Sequence, residues 1–365
     1  MRIVVAPDSF KGTIDAADAA EALSSGWRSV RPADELRCVP MADGGEGTLA
    51  AVVSASPGAR LVDVPDVTGP DGRPVRGQFA LLPDGTAVVE LAVASGLPLL
   101  GGELRPLTAT TRGTGETIAA ALDAGATRLV VGLGGSASTD GGFGLLSALG
   151  ARLLDSAGRT IPDAASDLDA TLDAATAFDR SRIRFAPPGG VVLLTDVTNP
   201  LLGERGAAAV YGPQKGAGEH ELPLLERRLE RLAELMGGDP SHPGAGAAGG
   251  TGYGLLAGWG AVVEPGAPAV ARLLGLPGLL ASADLLITGE GRYDATSLQG
   301  KAVGEVVRLA ESAGVPSKVV AGESAANGVL TLSSLAGSAS AARSQPARWL
   351  HRAGATLAEQ WAART

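Results

Sequence analysis

The chain has 365 residues, of which 45% are hydrophobic, 19% charged and 3% aromatic, a composition that suits two globular domains with cores of Ala, Val and Leu. Its net charge of −9 argues against nucleic acid or an anionic membrane as partner, because both attract basic surfaces. The single cysteine, Cys38, excludes an internal disulfide. The sequence shows neither a signal-peptide pattern nor an uncharged apolar run of about 18 residues, so we expect a cytoplasmic protein.

The first 60 residues alternate between strand and helix patterns. Short apolar runs at 3–6 and 36–40 predict strands, and periodic segments at 14–30 and 46–54 predict helices. This alternation is typical of a parallel α/β sheet. Cys38 lies in the second apolar run, which we interpret as a buried strand that carries an inert thiol.

The character of the sequence changes near residue 60. Three strand-like runs joined by tight glycine-containing turns predict antiparallel pairing, at 60–65, 75–82 and 87–91. Helix and strand patterns then return, at 114–124, 129–132, 191–195 and 219–236. Residues 155–190 have no clear pattern and predict a surface excursion.

After residue 278 the alternation of the first segment resumes. Strands are predicted at 285–287 and 318–320, and helices at 301–313 and 343–363. The predicted fold class is α/β, with two α/β domains. A Rossmann-like parallel-sheet domain is formed by both chain ends, and a mixed α/β domain is inserted in it. The predicted boundaries are 1–60 with 275–365 for the first domain and 61–274 for the second.

Four apolar runs end at acidic residues and glycines, in segments 4–12, 40–48, 193–200 and 285–294. In open α/β sheets the ligand lies outside the carboxyl ends of the strands. Carboxylates at that edge suit a hydroxylated substrate and a hydrated Mg²⁺. Helix capping is the alternative for any one segment, but four together favour a shared polar site. The candidate residues are Asp8, Ser9, Asp43, Gly44, Gly45, Glu46, Asp196, Asn199, Glu290, Arg292 and Asp294.

Lysine is rare in this chain, since only four of the 30 basic residues are lysines. Three of them, Lys11, Lys215 and Lys301, stand next to a glycine. A lysine on a glycine-rich turn presents a compact positive charge to phosphate or carboxylate. We therefore predict anion contacts for these three, whereas Lys318 at the start of a strand is expected to be solvated.

Two glycine-rich loops complete the pattern. Segment 132–142 follows a strand and precedes an apolar helix, so its backbone N–H groups and hydroxyls predict an anion site. Its candidate residues are Gly134, Gly135, Ser136, Ser138, Thr139 and Asp140. Segment 244–249 matches G-x-G-x-x-G but follows His-Pro instead of a strand. We interpret it, with Gly249 and Gly250, as a loop or helix entry that lines the site, not as a dinucleotide fingerprint.

Taken in order, seven segments resemble bacterial glycerate kinases of the glycerate 2-kinase type. They are 6–12, 40–48, 134–142, 196–201, 212–217, 246–250 and 288–292. The resemblance implies two α/β domains with a cleft between them, ATP and Mg²⁺ as cosubstrates, D-glycerate as acceptor and 2-phosphoglycerate as product. Three positions depart from the family: Thr296 replaces a glutamine, and Val303 and Glu305 replace the proline and the last glycine of G-K-x-P-x-G.

The mechanistic hypothesis assigns each candidate a part in phosphoryl transfer. Asp43 or Asp196 accepts the proton of the attacking hydroxyl, and Glu290 or Asp294 holds Mg²⁺. The three glycine-flanked lysines neutralise the γ-phosphate and the glycerate carboxylate, while the loop 136–139 holds triphosphate oxygens. A kinase of another small hydroxy acid and a non-catalytic metabolite-binding protein remain the alternatives, and the oligomeric state stays open.

Overall fold

The computed structural model describes residues 1–162, 168–297 and 301–363. The chain divides into two compact units. Unit 1 contains Met1–Asp43, Ala50–Pro57 and Pro265–Thr365, and unit 2 contains Gly44–Leu49 and Gly58–Glu264. Within the described residues, no helix has both the length and the apolar character needed to cross a membrane.

The secondary structure follows the strand and helix patterns of the sequence. The strands are β1 (Arg2–Val5), β2 (Glu35–Cys38), β3 (Arg60–Thr68), β4 (Pro74–Leu81), β5 (Thr86–Glu90), β6 (Arg128–Gly132), β7 (Arg152–Leu154), β8 (Ala177–Asp179), β9 (Val191–Leu194), β10 (Val262–Glu264), β11 (Leu285–Tyr293), β12 (Ser317–Ser324) and β13 (Leu330–Thr331). The helices are α1 (Ala16–Val30), α2 (Thr48–Ala55), α3 (Leu91–Ser95), α4 (Arg112–Asp123), α5 (Phe143–Ala148), α6 (Leu168–Ala174), α7 (Ala207–Tyr211), α8 (Glu221–Met236), α9 (Ala247–Trp259), α10 (Gly266–Leu273), α11 (Leu276–Leu280), α12 (Ala302–Ser312), α13 (Leu332–Ala336), α14 (Ala339–Ser344) and α15 (Pro346–Ala362).

Unit 1 is built on a five-stranded sheet in the order β13-β12-β11-β1-β2. Every pair in it is parallel, which confirms the predicted parallel α/β sheet. The chain places β2 on one side of β1 and returns to place β11 on the other. The strand order therefore reverses between β1 and β11, and such a switch point leaves a crevice at the carboxyl edge of the sheet.

Helices α1 and α15 cover this sheet and pack closely on each other. A Cβ on Gly26 would lie 1.9 Å from the carbonyl oxygen of His351, and a Cβ on Gly354 would lie 2.1 Å from that of Leu23. Only glycine permits such close backbone approach. Trp27 and Leu350 fill the core beside this contact and are fully buried.

Unit 2 holds a six-stranded mixed sheet in the order β10-β9-β6-β5-β4-β3. The pairs β3–β4 and β4–β5 are antiparallel, as the tight turns predict. The pairs β5–β6, β6–β9 and β9–β10 are parallel. A separate antiparallel pair joins β7 to β8. The second unit is thus the mixed α/β arrangement expected from the sequence.

Four local predictions were wrong, two in the extent of an element and two in its burial. Strand β11 continues to Tyr293 instead of ending at residue 287, because its pairing with β12 continues as far as Ser324. The terminal helix is two helices, α14 and α15, since Pro346 lacks the N–H that would continue the first. Strand β2 lies at the edge of its sheet and is half exposed. Part of the expected surface excursion, helix α6, buries Leu168 and Leu172 in the core.

The thiol of Cys38 is half-buried on edge strand β2. Its Sγ lies 3.0 Å from Ser24 Oγ, and burial raises its pKa above the usual thiol value. A raised pKa keeps the thiol protonated at neutral pH, so this geometry fits an unreactive cysteine.

Candidate active site

A cavity of about 400 Å³ opens in unit 1 at the carboxyl edge of the parallel sheet. Asp8 follows β1, Asp43 follows β2, and Glu290 lies inside the extended β11. The three carboxyl groups thus come from the strands on both sides of the switch point. Seven residues singled out in the sequence line this cavity: Asp8, Ser9, Lys11, Asp43, Glu290, Arg292 and Lys301.

The three carboxyl groups, called the acidic cluster below, are Asp8, Asp43 and Glu290. Burial raises the pKa of Asp8 to about 6, the Ser9 N–H opposes this rise, and the charges of Asp43 and Glu290 add to it. Burial likewise raises the pKa of Glu290. Its Oε1 is buried and has no hydrogen-bond partner within the described residues. Such a cluster favours the uptake of a cation or a proton.

The raised pKa of Asp8 leads to a testable pH dependence of stability. Between about pH 4 and pH 6 the folded protein keeps a proton that the unfolded chain releases, so stability falls as the pH rises through this interval. We therefore expect Asp8→Asn to melt at a higher temperature than the wild type at pH 8, with the gain vanishing near pH 4. Thermal melting of both proteins across this range is the measurement. Asp18→Asn, which removes an exposed carboxylate from α1, is the control, and an equal gain in that variant would contradict the assignment to Asp8.

Basic side chains complete the cavity. Lys11, Arg292 and Lys301 are exposed at its surface, and Lys301 Nζ donates to Thr296 Oγ1 at 3.1 Å. Asp294 does not line the cavity. Instead it accepts bonds from the N–H and Oγ1 of Thr296 at 2.9 and 2.7 Å, and these bonds lower its pKa.

In unit 2, residues 132–142, called the glycine loop below, follow β6. A Cβ on Gly134 would lie 2.4 Å from the Cα of Gly45, and a Cβ on Gly132 would lie 2.6 Å from the carbonyl oxygen of Gly44. The two glycines of segment 40–48 therefore pack directly against the glycine loop. Their backbone, not a side chain, occupies this position, which explains the glycine pattern physically.

Lys215 lies beneath the glycine loop and is buried. Its Nζ donates to Ser136 Oγ at 2.7 Å and to the carbonyl oxygen of Ser138. Burial lowers its pKa to about 7, and the charge of Asp140 opposes this effect. The hydroxyls of Ser138 and Thr139 are also buried and have no hydrogen-bond partner within the described residues. Lys215 therefore holds the glycine loop from its inner side, and its contact with an anion stays a prediction.

The segment Ala248, Gly249 and Gly250 supports the other side of the glycine loop. All three residues adopt the left-handed conformation at the start of α9. The Gly249 carbonyl accepts from Gly141 N at 3.1 Å, and a Cβ on Gly249 would lie 2.0 Å from the Ser138 oxygen. The G-x-G-x-x-G match is therefore a helix entry that packs on the loop.

A second cavity, of about 130 Å³, lies beside the glycine loop. It is lined by Gly134, Gly135, Ser136, Lys215 and Gly249, together with Thr195 and Tyr211. Leu97, Leu133, Val197 and Ala248 also line it. The backbone N–H groups, the Ser136 hydroxyl and the Lys215 amine are the groups in it that suit an anion.

The remaining candidates in unit 2 fall into two groups. Asp140 Oδ2 accepts from the N–H and Oγ1 of Thr111, both at 2.8 Å. Asn199 donates to the Arg205 carbonyl at 2.7 Å and accepts from Tyr211 OH at 2.8 Å. These two side chains hold loops in place, whereas two others are exposed to solvent, Glu46 and Asp196.

Sequence reasoning missed two sets of residues. Glu90 ends the buried strand β5 and accepts from Gly47 N at 3.1 Å and Leu49 N at 3.0 Å, which anchors the start of α2. The sequence signal that could have indicated Glu90 was a glutamate at the end of an otherwise apolar strand. The first cavity also has a wall from the C-terminal segments that no motif indicated. Its residues are Gly322, Glu323, Leu332, Ala339, Ala342, Arg343 and Pro346.

Comparison with known proteins shows which family this chain resembles. The model of the glycerate kinase family matches residues 3–362. The chain is 44% identical over 329 residues to the glycerate kinase of Bacillus subtilis (strain 168), covering 88% of this chain and 85% of that protein. It is 41% identical over 330 residues to the glycerate 2-kinase of Escherichia coli (strain K12), with coverage of 88% and 85%.

A solved structure agrees with the fold. The crystal structure of a candidate glycerate kinase 2 from Salmonella typhimurium LT2 superimposes with a TM-score of 0.86 at 37% identity, covering 100% of this chain and 98% of that one. The fold, the acidic cluster and these relatives define a phosphotransferase of the kinase class. Within that class, the chain belongs to the glycerate kinase family.

Proposed function

We propose that this protein transfers the γ-phosphoryl group of ATP to a hydroxyl of D-glycerate, with Mg²⁺, and releases 2-phosphoglycerate. The observation that carries the proposal is the cavity at the switch point of unit 1, where the acidic cluster lies with Lys11 and Lys301. Phosphoryl transfer needs positioned cations and a proton acceptor, and this cavity holds both. A cytoplasmic location belongs to the same proposal, because ATP is supplied there.

Asp43 is the proposed proton acceptor. It lines the cavity of unit 1, whereas Asp196 is exposed and lines neither cavity. A carboxylate that takes the proton of the attacking hydroxyl must reach the reacting groups. This requirement favours Asp43 over the alternative that the sequence left open.

Mg²⁺ fits the acidic cluster. The unpartnered Oε1 of Glu290 and the carboxylate of Asp8 are the oxygen donors that this cation prefers. Mg²⁺ commonly uses one or two carboxylates together with substrate phosphates and water. When bound, Mg²⁺ neutralises phosphate charge. We assign the binding role to Glu290 and Asp8 in place of Asp294.

The basic residues neutralise the two anionic substrates. Lys11 and Lys301 line the larger cavity and are assigned to the γ-phosphate. The smaller cavity, with Ser136 and Lys215, is a candidate anion site of unit 2. In this proposal the buried Ser138 and Thr139 shape the loop without touching a ligand.

The experiment that tests the function is ADP release with Mg²⁺, ATP and D-glycerate. Turnover with D-glycerate supports the proposal. Turnover with another hydroxy acid but not with D-glycerate would mean that the acceptor is that other acid. ATP binding without turnover on any acceptor would favour a non-catalytic protein.

A further inference from the structure

Part of the larger cavity is not explained by phosphoryl transfer to a small acid. One side of it is formed by four apolar residues from the C-terminal segments, Leu332, Ala339, Ala342 and Pro346, called the apolar wall below. Helices α13, α14 and α15 supply them. A three-carbon hydroxy acid carries a carboxylate and hydroxyl groups and has little apolar surface. The apolar wall is therefore not needed to bind it.

The residues that line the cavity come from several strands along the sheet edge. Its residues follow or belong to four adjacent strands, from β2 with Asp43 through β1 and β11 to β12 with Glu323. Three strand spacings of about 4.8 Å span roughly 14 Å. The acidic cluster occupies one part of this length, and the apolar wall lies at the β12 and β13 side. This lining suits a ligand that is charged at one end and apolar at the other.

The apolar end carries a small number of polar groups. Glu323 and Arg343 line the cavity and pair at 2.6 Å, with 43% and 66% of their side-chain surface exposed. Ligand pockets for cofactors combine apolar walls with a few polar groups that fix orientation. A carboxylate such as that of Glu323 can accept a hydrogen bond from an exocyclic amine, as adenine provides.

We propose that the apolar wall binds the adenine base of ATP, so that the nucleotide lies along the cavity of unit 1. Its triphosphate then lies toward Asp8, Glu290 and the two lysines of the cavity. The inference rests on the proposed function and deepens it by naming the subsite of the base. A volume of about 400 Å³ falls within the range of roughly 300–1,000 Å³ found for such ligands.

The test fills the subsite without touching the phosphate end. Ala339 is half-buried and lines the cavity, so Ala339→Leu adds volume where the base is placed. We expect its Kd for ADP to rise about tenfold or more, as overpacking by one side chain does. Its Kd for inorganic tripolyphosphate, which lacks a base, should not change. Titration calorimetry with the full chain and Mg²⁺ measures both.

The matched control is Ser340→Leu, the next residue on α14, which is exposed and does not line the cavity. It should bind ADP like the wild type. Thermal melting checks that each variant is folded, and Ala339→Val, with a smaller added volume, replaces the leucine variant if that protein does not fold. ADP binding by Ala339→Leu or its substitute at wild-type strength would overturn the proposal, as would an equal loss for ADP and tripolyphosphate.

These binding measurements contain no acceptor, so they separate the two proposals. A wild type that binds ADP through the wall but does not phosphorylate D-glycerate would overturn the proposed function alone. A wild type that phosphorylates D-glycerate, with Ala339→Leu unchanged in its KM for ATP, would overturn the adenine subsite alone.

Discussion

Replacement of Asp43 by asparagine is expected to lower kcat by about 10²- to 10⁴-fold, the usual contribution of a general base. Asparagine keeps the size of the side chain but cannot accept the proton of the attacking hydroxyl at neutral pH. Because binding contacts are largely kept, the KM values for ATP and D-glycerate should change far less than kcat. Steady-state kinetics at saturating Mg²⁺ measures all three constants.

The matched control for this prediction is Asp196→Asn. Asp196 follows a strand in the same way as Asp43 but is exposed and lines neither cavity, so its amide variant should keep most of the turnover. Full turnover of Asp43→Asn would remove Asp43 as the base. If only Asp196→Asn lost activity, the role of base would pass to Asp196.

Gly249→Ala is expected to lower the free energy of unfolding by about 3 kcal/mol or more and to impair turnover. The residue has φ +66°, and its new Cβ would lie 2.0 Å from the Ser138 oxygen and 2.9 Å from Lys215 Nζ. The left-handed conformation alone costs an alanine about 1–2 kcal/mol, and the clash with backbone adds overpacking strain of about 1–3 kcal/mol. Urea denaturation measures the loss of stability.

Gly260→Ala is a close control for the clash. Gly260 has φ +67° and ψ 28°, nearly the conformation of Gly249, but a Cβ there would meet no atom within 4 Å. Its alanine variant should lose only the conformational part, about 1–2 kcal/mol, and keep its activity. Equal losses in the two variants would contradict the close packing of Gly249 on the glycine loop.

The sheets and several site residues could be predicted because their signals are local. Apolar runs such as residues 3–6 and 129–132 predict strands from their own composition. Where such a run ends at an acidic residue, as before Asp8 and Asp43, parallel pairing places the carboxylate at the sheet edge. The polar part of the larger cavity follows from these signals.

Features that depend on distant partners could not be predicted. The glycines at 289 and 291 indicate a turn, yet β11 continues through both of them. The neighbouring strand β12 lies so close to β11 that a Cβ on Gly289 would lie 2.1 Å from the Val320 oxygen, so a glycine fits within the strand at this position. The burial of Lys215 depends on the Ser136 and Ser138 acceptors, which lie far away in sequence. Neither partner can be read from the local residues.

The apolar wall was missed for a different reason. Leu332, Ala339, Ala342 and Pro346 are ordinary helix and loop residues that form no motif. Only the order of the strands, which places β12 and β13 beside β11, brings their helices to the cavity. Tertiary topology, not local chemistry, therefore defines this part of the site.

The most direct test of the proposed reaction is to incubate the purified protein with ATP, MgCl₂ and D-glycerate and to identify the product by ³¹P NMR. The proposal predicts ADP and 2-phosphoglycerate in equal amounts. Release of 3-phosphoglycerate would contradict the position of transfer, and the absence of any phosphorylated glycerate would contradict the proposed reaction itself.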